Sequence, residues 1–274
     1  MYVVHSGSPH EYGSWLCAEP GGMNMKKVIA LHSSKRKMNT YGILLQIKEL
    51  LAKRDIDVEI ISLYETELKD CLGCEHCVLK DSCVLDDDAD ALMEKLKNAD
   101  GIILSSPVYL QQVSGKMKSF IDRTCKWFHR PVLYGKPILC LATTKGSGLK
   151  LTLDYLENVV LQWGAMPAGR IGRTIRNAKK PLDERELDKF VLLMNEPQKF
   201  SPNFSALMDF EVQKVLADKI VGLDEKYWTD MGWYDMSYYI PCRVNRLKAW
   251  IAKKIGNGIR KRMMAGAEEE DKAK

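Results

Sequence analysis

The stretch Val28-Ile29-Ala30-Leu31-His32-Ser33-Ser34-Lys35-Arg36-Lys37-Met38-Asn39-Thr40 decides the fold. Four apolar residues without polar alternation predict a strand buried on both faces. The polar run that follows leads straight into Asn39 to Arg54, where apolar residues recur at helical spacing. A buried strand, a loop of hydroxyls and cations, and then a helix is the opening of a parallel α/β unit. The loop aims backbone N–H groups and positive charge at one point, which suits a terminal phosphate. A plain helix cap made by Ser, Asn or Thr is the competing reading of the same residues.

The alternation continues along the chain. Strands are expected at Val58 to Leu63, Gly101 to Ser105, Pro137 to Thr143 and Pro167 to Ile171. Helices are expected at Asp86 to Ala99, opened by three aspartates that suit its positive end, at 115 to 128, and at Leu149 to Gly164. Five strands alternating with helices predict a doubly wound five-stranded parallel sheet whose ligand crevice lies beyond the carboxyl ends of the strands. Function is therefore expected in the loops after the first, third and fourth strands. In the second of these loops Pro107 stops the strand and Tyr109 offers a flat ring. In the third, Thr143-Thr144-Lys145-Gly146-Ser147-Gly148 combines hydroxyls with glycines that let backbone approach a ligand, or makes a simple turn.

Between the second strand and its helix lies Cys71-Leu72-Gly73-Cys74-Glu75-His76-Cys77, continuing to Cys83, a C-x2-C-x2-C-x5-C run. Three thiolates at two successive intervals can hold three corners of a cubane iron-sulfur cluster, with Cys83 reaching the fourth iron. Zinc ligation and a thiol-based redox-sensing role without electron transfer are the readings from another class, and cysteines that hold no metal are the third. His76 is expected to be solvated or to support a ligand rather than to be one. Cys17, Cys125, Cys140 and Cys242 have no such spacing, and Cys125 and Cys140 read as core residues of a helix and a strand.

Composition narrows the classes further. The chain has 274 residues, 46% hydrophobic and 28% charged, as in an ordinary globular protein. Its 41 basic and 36 acidic residues leave a net charge of +5, too slight for a nucleic-acid partner. No apolar run reaches the ~18 residues of a membrane span. A cytoplasmic location is expected, where eight cysteines stay reduced and serve metal or redox chemistry.

Residues 1–25 read as a disordered leader, with Met23 or Met25 as an alternative start. Residues 26–178 form the α/β domain with its cysteine loop at 71–83. Residues 179–266 form a helical extension with segments near Asp183 to Met194, Ala206 to Val221 and Asn245 to Met264, and 267–274 a solvated, disordered charged tail. In the last helix Leu247, Trp250, Ile251, Ile255, Ile259 and Met263 share a face, ringed by Arg246, Lys248, Lys253, Lys254, Arg260, Lys261 and Arg262. That face is expected to pack on the domain or on a second subunit, with contact to an anionic membrane surface as the alternative.

Together these features resemble the iron-sulfur flavoproteins, within the wider group of NAD(P)H-dependent FMN reductases of flavodoxin-like fold. The resemblance is carried by Ser33 to Thr40; by Cys71, Cys74, Cys77 and Cys83 followed by Asp86-Asp87-Asp88; by Ala99-Asp100-Gly101-Ile102-Ile103 leading to Ser106-Pro107-Val108-Tyr109; and by Lys118 to Asp122-Arg123. It covers roughly residues 27 to 175. His32, Ser34 and Lys35 stand where the family's first loop has Gly, Pro and Arg.

The resemblance implies one FMN per subunit. Its phosphate would lie on Ser33, Lys35, Arg36, Asn39 and Thr40, and its ring against Pro107, Val108, Tyr109, Leu110 and Gln111 and against Thr143, Thr144, Lys145 and Gly146. It also implies a [4Fe-4S] cluster on the four cysteines, homodimers or homotetramers, and electron transfer from ferredoxin or NAD(P)H to an acceptor. No side chain is required as a catalytic acid or base. Relatives without a cluster use NAD(P)H as co-substrate to reduce flavins or quinones, which is the alternative function.

Overall fold

The computed structural model describes residues 25–177, 180–218 and 222–273, with the side chains of 266–273 excluded. The expected leader at 1–25 lies, but for Met25, outside the described residues. Along the chain run β1 (Lys26–His32), α1 (Asn39–Ala52), β2 (Ile56–Ser62), α2 (His76–Lys80), α3 (Ala89–Asn98), β3 (Gly101–Pro107), α4 (Gly115–Arg123) and α5 (Lys126–His129). They continue with β4 (Pro137–Thr144), α6 (Leu149–Gln162), β5 (Met166–Thr174), α7 (Asp188–Asn195), α8 (Phe204–Ala217), α9 (Gly222–Asp230) and α10 (Arg246–Ala273).

The five strands pair in parallel in the order β2-β1-β3-β4-β5. This is the flavodoxin-like order, and its direction reverses between β1 and β3, where a ligand crevice opens. Alternation along each strand divides the core in two. Val28, Ala30, Ile103, Leu139 and Leu141 face α1 and the helices after β5. Ile29, Leu31, Ile102, Leu104, Ile138 and Cys140 face α3, α4 and α6.

The segments after β5 are built into the first of these cores. Phe190 and Leu193 of α7, Phe210 of α8, Trp228 of α9 and the aromatics Trp233, Tyr238 and Tyr239 are all buried with the sheet residues. Specific bonds cross the junction: Lys26 Nζ donates to Met194 O (2.7 Å), Gln213 Nε2 to Gln162 O (2.8 Å) and Trp228 Nε1 to His129 O (2.9 Å). Gly101 opens β3 where a Cβ would stand 2.8 Å from Phe190 Cζ and 2.9 Å from Met194 Cε.

Three local expectations are corrected. α3 starts at Ala89 rather than Asp86, because the aspartates turn back to bind the loop: Asp87 carboxylate oxygens accept from Lys69 N and Ala89 N, and Asp88 accepts from Glu67 N. The helix expected over 115 to 128 is broken into α4 and α5. Thr124 Oγ1 there donates to Ile121 O and accepts from the indole of Trp163, which fixes the break.

α10 packs on α8 through its small side. Ala252 is fully buried, and a Cβ on Gly256 would stand 3.2 Å from Glu211 Cβ. Leu247, Trp250, Ile251 and Ile255 of the expected packing face are therefore exposed, while Ile259 and Met263 are half-buried. α10 also continues to Ala273 through most of the tail expected to be disordered, since Ala, Glu and Lys extend a helix readily. Among the described residues no helix is long and apolar enough to cross a membrane.

Gly101→Ala should cost about 1–3 kcal/mol by overpacking, and Phe190→Ala about 3–5 kcal/mol by leaving a cavity. Urea unfolding of both single variants and the double variant checks the contact. The cost of Gly101→Ala should shrink once Phe190 is truncated, and strictly additive costs would refute the packing.

Candidate functional site

Two separate constructions are built from loops that leave the carboxyl ends of the strands. The first joins the loops after β1, β3 and β4. Ser33 is buried, with its N–H and its hydroxyl both donating to Ser105 O (3.2 and 2.9 Å), while Ser105 Oγ donates to Leu31 O (2.7 Å). Thr40, in the first turn of α1, shares a hydroxyl hydrogen bond with Thr143 at the end of β4 (2.6 Å). The first and third loops are thus pinned together across the sheet.

Lys35, Arg36 and Asn39 are exposed around this turn. Met38, at the cap position of α1, supplies no side-chain hydrogen bond. The simple-cap reading of the loop therefore fails. The first-turn N–H groups of α1 thus have no side-chain cap and stand beside two cations and a hydroxyl. Below them His32 is fully buried, with neither ring nitrogen finding a hydrogen-bond partner among the described residues. Burial, then the nearby Lys37, pushes its pKa down, which favours the neutral imidazole.

The second loop is tied shut by Ser106, whose hydroxyl donates to Pro107 O (2.8 Å) and accepts from Ser114 N (2.9 Å). Its tip is a miniature hairpin in which Tyr109 and Gln112 exchange backbone bonds (2.9 and 3.0 Å). Leu110 (φ 46°) and Gln111 (φ 66°) both sit in the left-handed region, as the two central residues of such a turn require. Gly148 (φ 85°) closes against it, since a Cβ there would lie 2.5 Å from Gln111 Cα.

Between these loops lies a cavity of about 380 Å³ lined by Val108, Leu110, Gln111, Thr144, Lys145, Gly146 and Ser147. The structure thus gathers most of the expected ring contacts around one space. Pro107 ends β3 beside it, Thr143 joins it to Thr40, and Tyr109 stands exposed at its rim.

The second construction is the cysteine loop. Gly73 (φ 65°), Glu75 (φ 58°) and Asp81 (φ 61°) turn the chain sharply around the five-residue helix α2, which buries none of its own residues. Two buried arginines hold it instead. Arg123 is ion-paired with Asp87 and donates to Lys69 O (3.0 Å) and to Cys83 Sγ (3.3 Å). Burial alone would raise the Asp87 carboxyl, but hydrogen bonds from Arg123, Lys69 N and Ala89 N, with the Arg123 charge, together outweigh it and lower the pKa.

Arg130 is ion-paired with the fully buried Asp224 of α9 and donates to Cys77 O (2.8 Å) and Val78 O (3.2 Å). His129 Nδ1 meets the same carboxylate at 3.0 Å. His76 turns away to Ser82 O (2.8 Å).

Cys71, Cys74, Cys77 and Cys83 line one cavity of about 480 Å³. Among the described residues no three His, Cys, Asp or Glu side chains converge closely enough to hold a metal ion. Soft sulfur donors facing one space are of the type that iron-sulfur and zinc chemistry both use.

Cys125 also lines this cavity, which corrects the expectation that it is a core residue. It is exposed, at the break between α4 and α5, with its sulfur 3.2 Å from that of Cys77. Its thiol hydrogen bond holds the Cys77 pKa down to about 6 against burial, while Cys125 itself is raised by the same contact. A reading of local spacing had no means to find it, since 48 residues separate the pair. Cys140 is buried in β4 as expected.

Comparison with known proteins finds relatives of the α/β region. An iron-sulfur flavoprotein of Archaeoglobus fulgidus is 34% identical over 146 residues, 53% of this chain and 66% of the relative. An iron-sulfur flavoprotein of Methanocaldococcus jannaschii is 33% identical over 143 residues, 49% of this chain and 72% of the relative. The first match thus spans just under two thirds of the relative's length. A solved apo-form NADH:FMN oxidoreductase aligns with 63% of this chain and 88% of its own, at 19% identity and a TM-score of 0.45. The model of the NADPH-dependent FMN reductase family matches residues 26–180, and the chain belongs to that family.

Proposed function

We propose that this protein is an FMN-dependent electron-transfer oxidoreductase that holds a [4Fe-4S] cluster in the cysteine cavity and takes electrons from ferredoxin or NAD(P)H. The observation that carries the reading is the presence of two constructions in one α/β fold: an uncapped helix N-terminus with a cavity lined by crevice loops, and a separate cavity lined by four cysteines. When bound, the flavin would exchange electrons singly or in pairs and the cluster one at a time.

The chain's own residues bind and tune. Ser33, Lys35, Arg36, Asn39 and Thr40 would receive the phosphate. Pro107, Val108, Tyr109, Leu110 and Gln111 would cover one side of the ring, and Thr143, Thr144, Lys145 and Gly146 would supply hydrogen bonds at the other. Cys71, Cys74, Cys77 and Cys83 would be the iron ligands. Arg123, donating to Cys83 Sγ, would stabilise negative charge on that sulfur. No side chain in either site needs to move a proton. The reduced thiols suit a cytoplasmic setting.

Protein purified without oxygen should carry flavin absorption and about four irons with matching acid-labile sulfide per chain. Flavin without iron would leave only the NAD(P)H-dependent flavin or quinone reductase, and absence of both would overturn the proposal. Cys74→Ser should lose most of the iron while keeping flavin. Reversing both loop cations, Lys35→Glu with Arg36→Glu, should weaken FMN binding roughly tenfold or more, read by fluorescence titration of the free flavin. Unchanged affinity would remove the phosphate from this loop.

A further inference from the structure

The geometry points to Cys77 and Cys125 as a thiol pair that reacts with small-molecule disulfides of the glutathione class and closes to an internal disulfide. The two sulfurs stand 3.2 Å apart, about 1 Å more than a disulfide bond, so closure needs side-chain adjustment only. Both backbones are already fixed around them. Arg130 grips Cys77 O, Lys126 Nζ donates to Asp81 O just beyond α2 (2.9 Å), and Phe128 N caps Cys125 O (3.1 Å). Cys125 is exposed at the cavity wall, where a small disulfide can reach it.

One thiolate of the pair attacks a sulfur of the small disulfide, breaking its S–S bond and releasing one small thiol. The second protein thiol then attacks the mixed disulfide, forming the Cys77–Cys125 bond and expelling the other small thiol. The pair gives up two electrons and its two protons to the reagent, which leaves as two thiols. The inference goes beyond the electron-transfer reading, since Cys125 is not one of the proposed iron ligands. It meets that reading at Cys77 alone: a sulfur bound to iron is not free to join a disulfide.

The test treats the full chain, with its iron content measured beforehand, with oxidised glutathione. Alkylation and unreduced peptide mapping follow. Iron-free chains should lose about two alkylatable thiols and yield a cross-linked peptide pair carrying Cys77 and Cys125. Iron-loaded chains, if they form, should resist until the metal is removed.

Cys125→Ser should still take up iron and flavin, and its iron-free chains should keep glutathione on Cys77 as a stable mixed disulfide. The wild-type map needs no variant, so a poorly folding substitution does not spoil the result. The pairing is refuted if iron-free wild-type chains leave Cys125 alkylatable, or link Cys77 to Cys71, Cys74 or Cys83. Neither result bears on whether the purified protein carries iron.

Discussion

The fully buried carboxylate of Asp224, paired with Arg130, is the constraint on which the cysteine loop depends. A charge in that position requires its partner, because removing either leaves the other stranded in a medium of low polarity. The pair is placed by α9 on one side and the end of α5 on the other, so it forms only when the helices after β5 are docked. Its remaining donors reach the carbonyls of Cys77 and Val78, in a helix of five residues that buries no side chain. A loop with so little apolar surface gains its shape from this polar grip and from the parallel one of Arg123 on Asp87 and Lys69.

The two sites are built by different interactions. The flavin-type crevice is assembled by hydroxyls that cross-link the ends of β1, β3 and β4, with glycine and left-handed backbone only where loops touch. The cysteine cavity is assembled by cations and carboxylates. Arg123 closes α4, which begins where Ser114 ends the second crevice loop, so one short helix spans from one construction to the other.

Much of this was legible in the chain. Continuous apolar runs such as Val28 to Leu31 can only be strands covered on both sides, and their spacing gave all five strands and the doubly wound sheet. The three crevice loops followed from the topology. What escaped was set by distant partners. Thr124 ends a helix because Trp163 reaches its hydroxyl, and the aspartates before α3 bind the loop backbone instead of opening the helix. Cys125 joins the cavity by tertiary placement alone. In the last helix the periodic apolar stripe is the loudest signal, yet within the chain it is Ala252 and Gly256 that let α8 approach closely and make the contact.

Gly101 carries a consequence for how the molecule comes apart. The first residue of β3 leaves its side-chain volume to Phe190 and Met194, which arrive from a helix nearly ninety positions later in the chain. With that space filled from outside, α7 cannot lift away without baring a face of the sheet. Such a contact makes the C-terminal helices and the sheet one cooperative unit, so that neither loosens without the other.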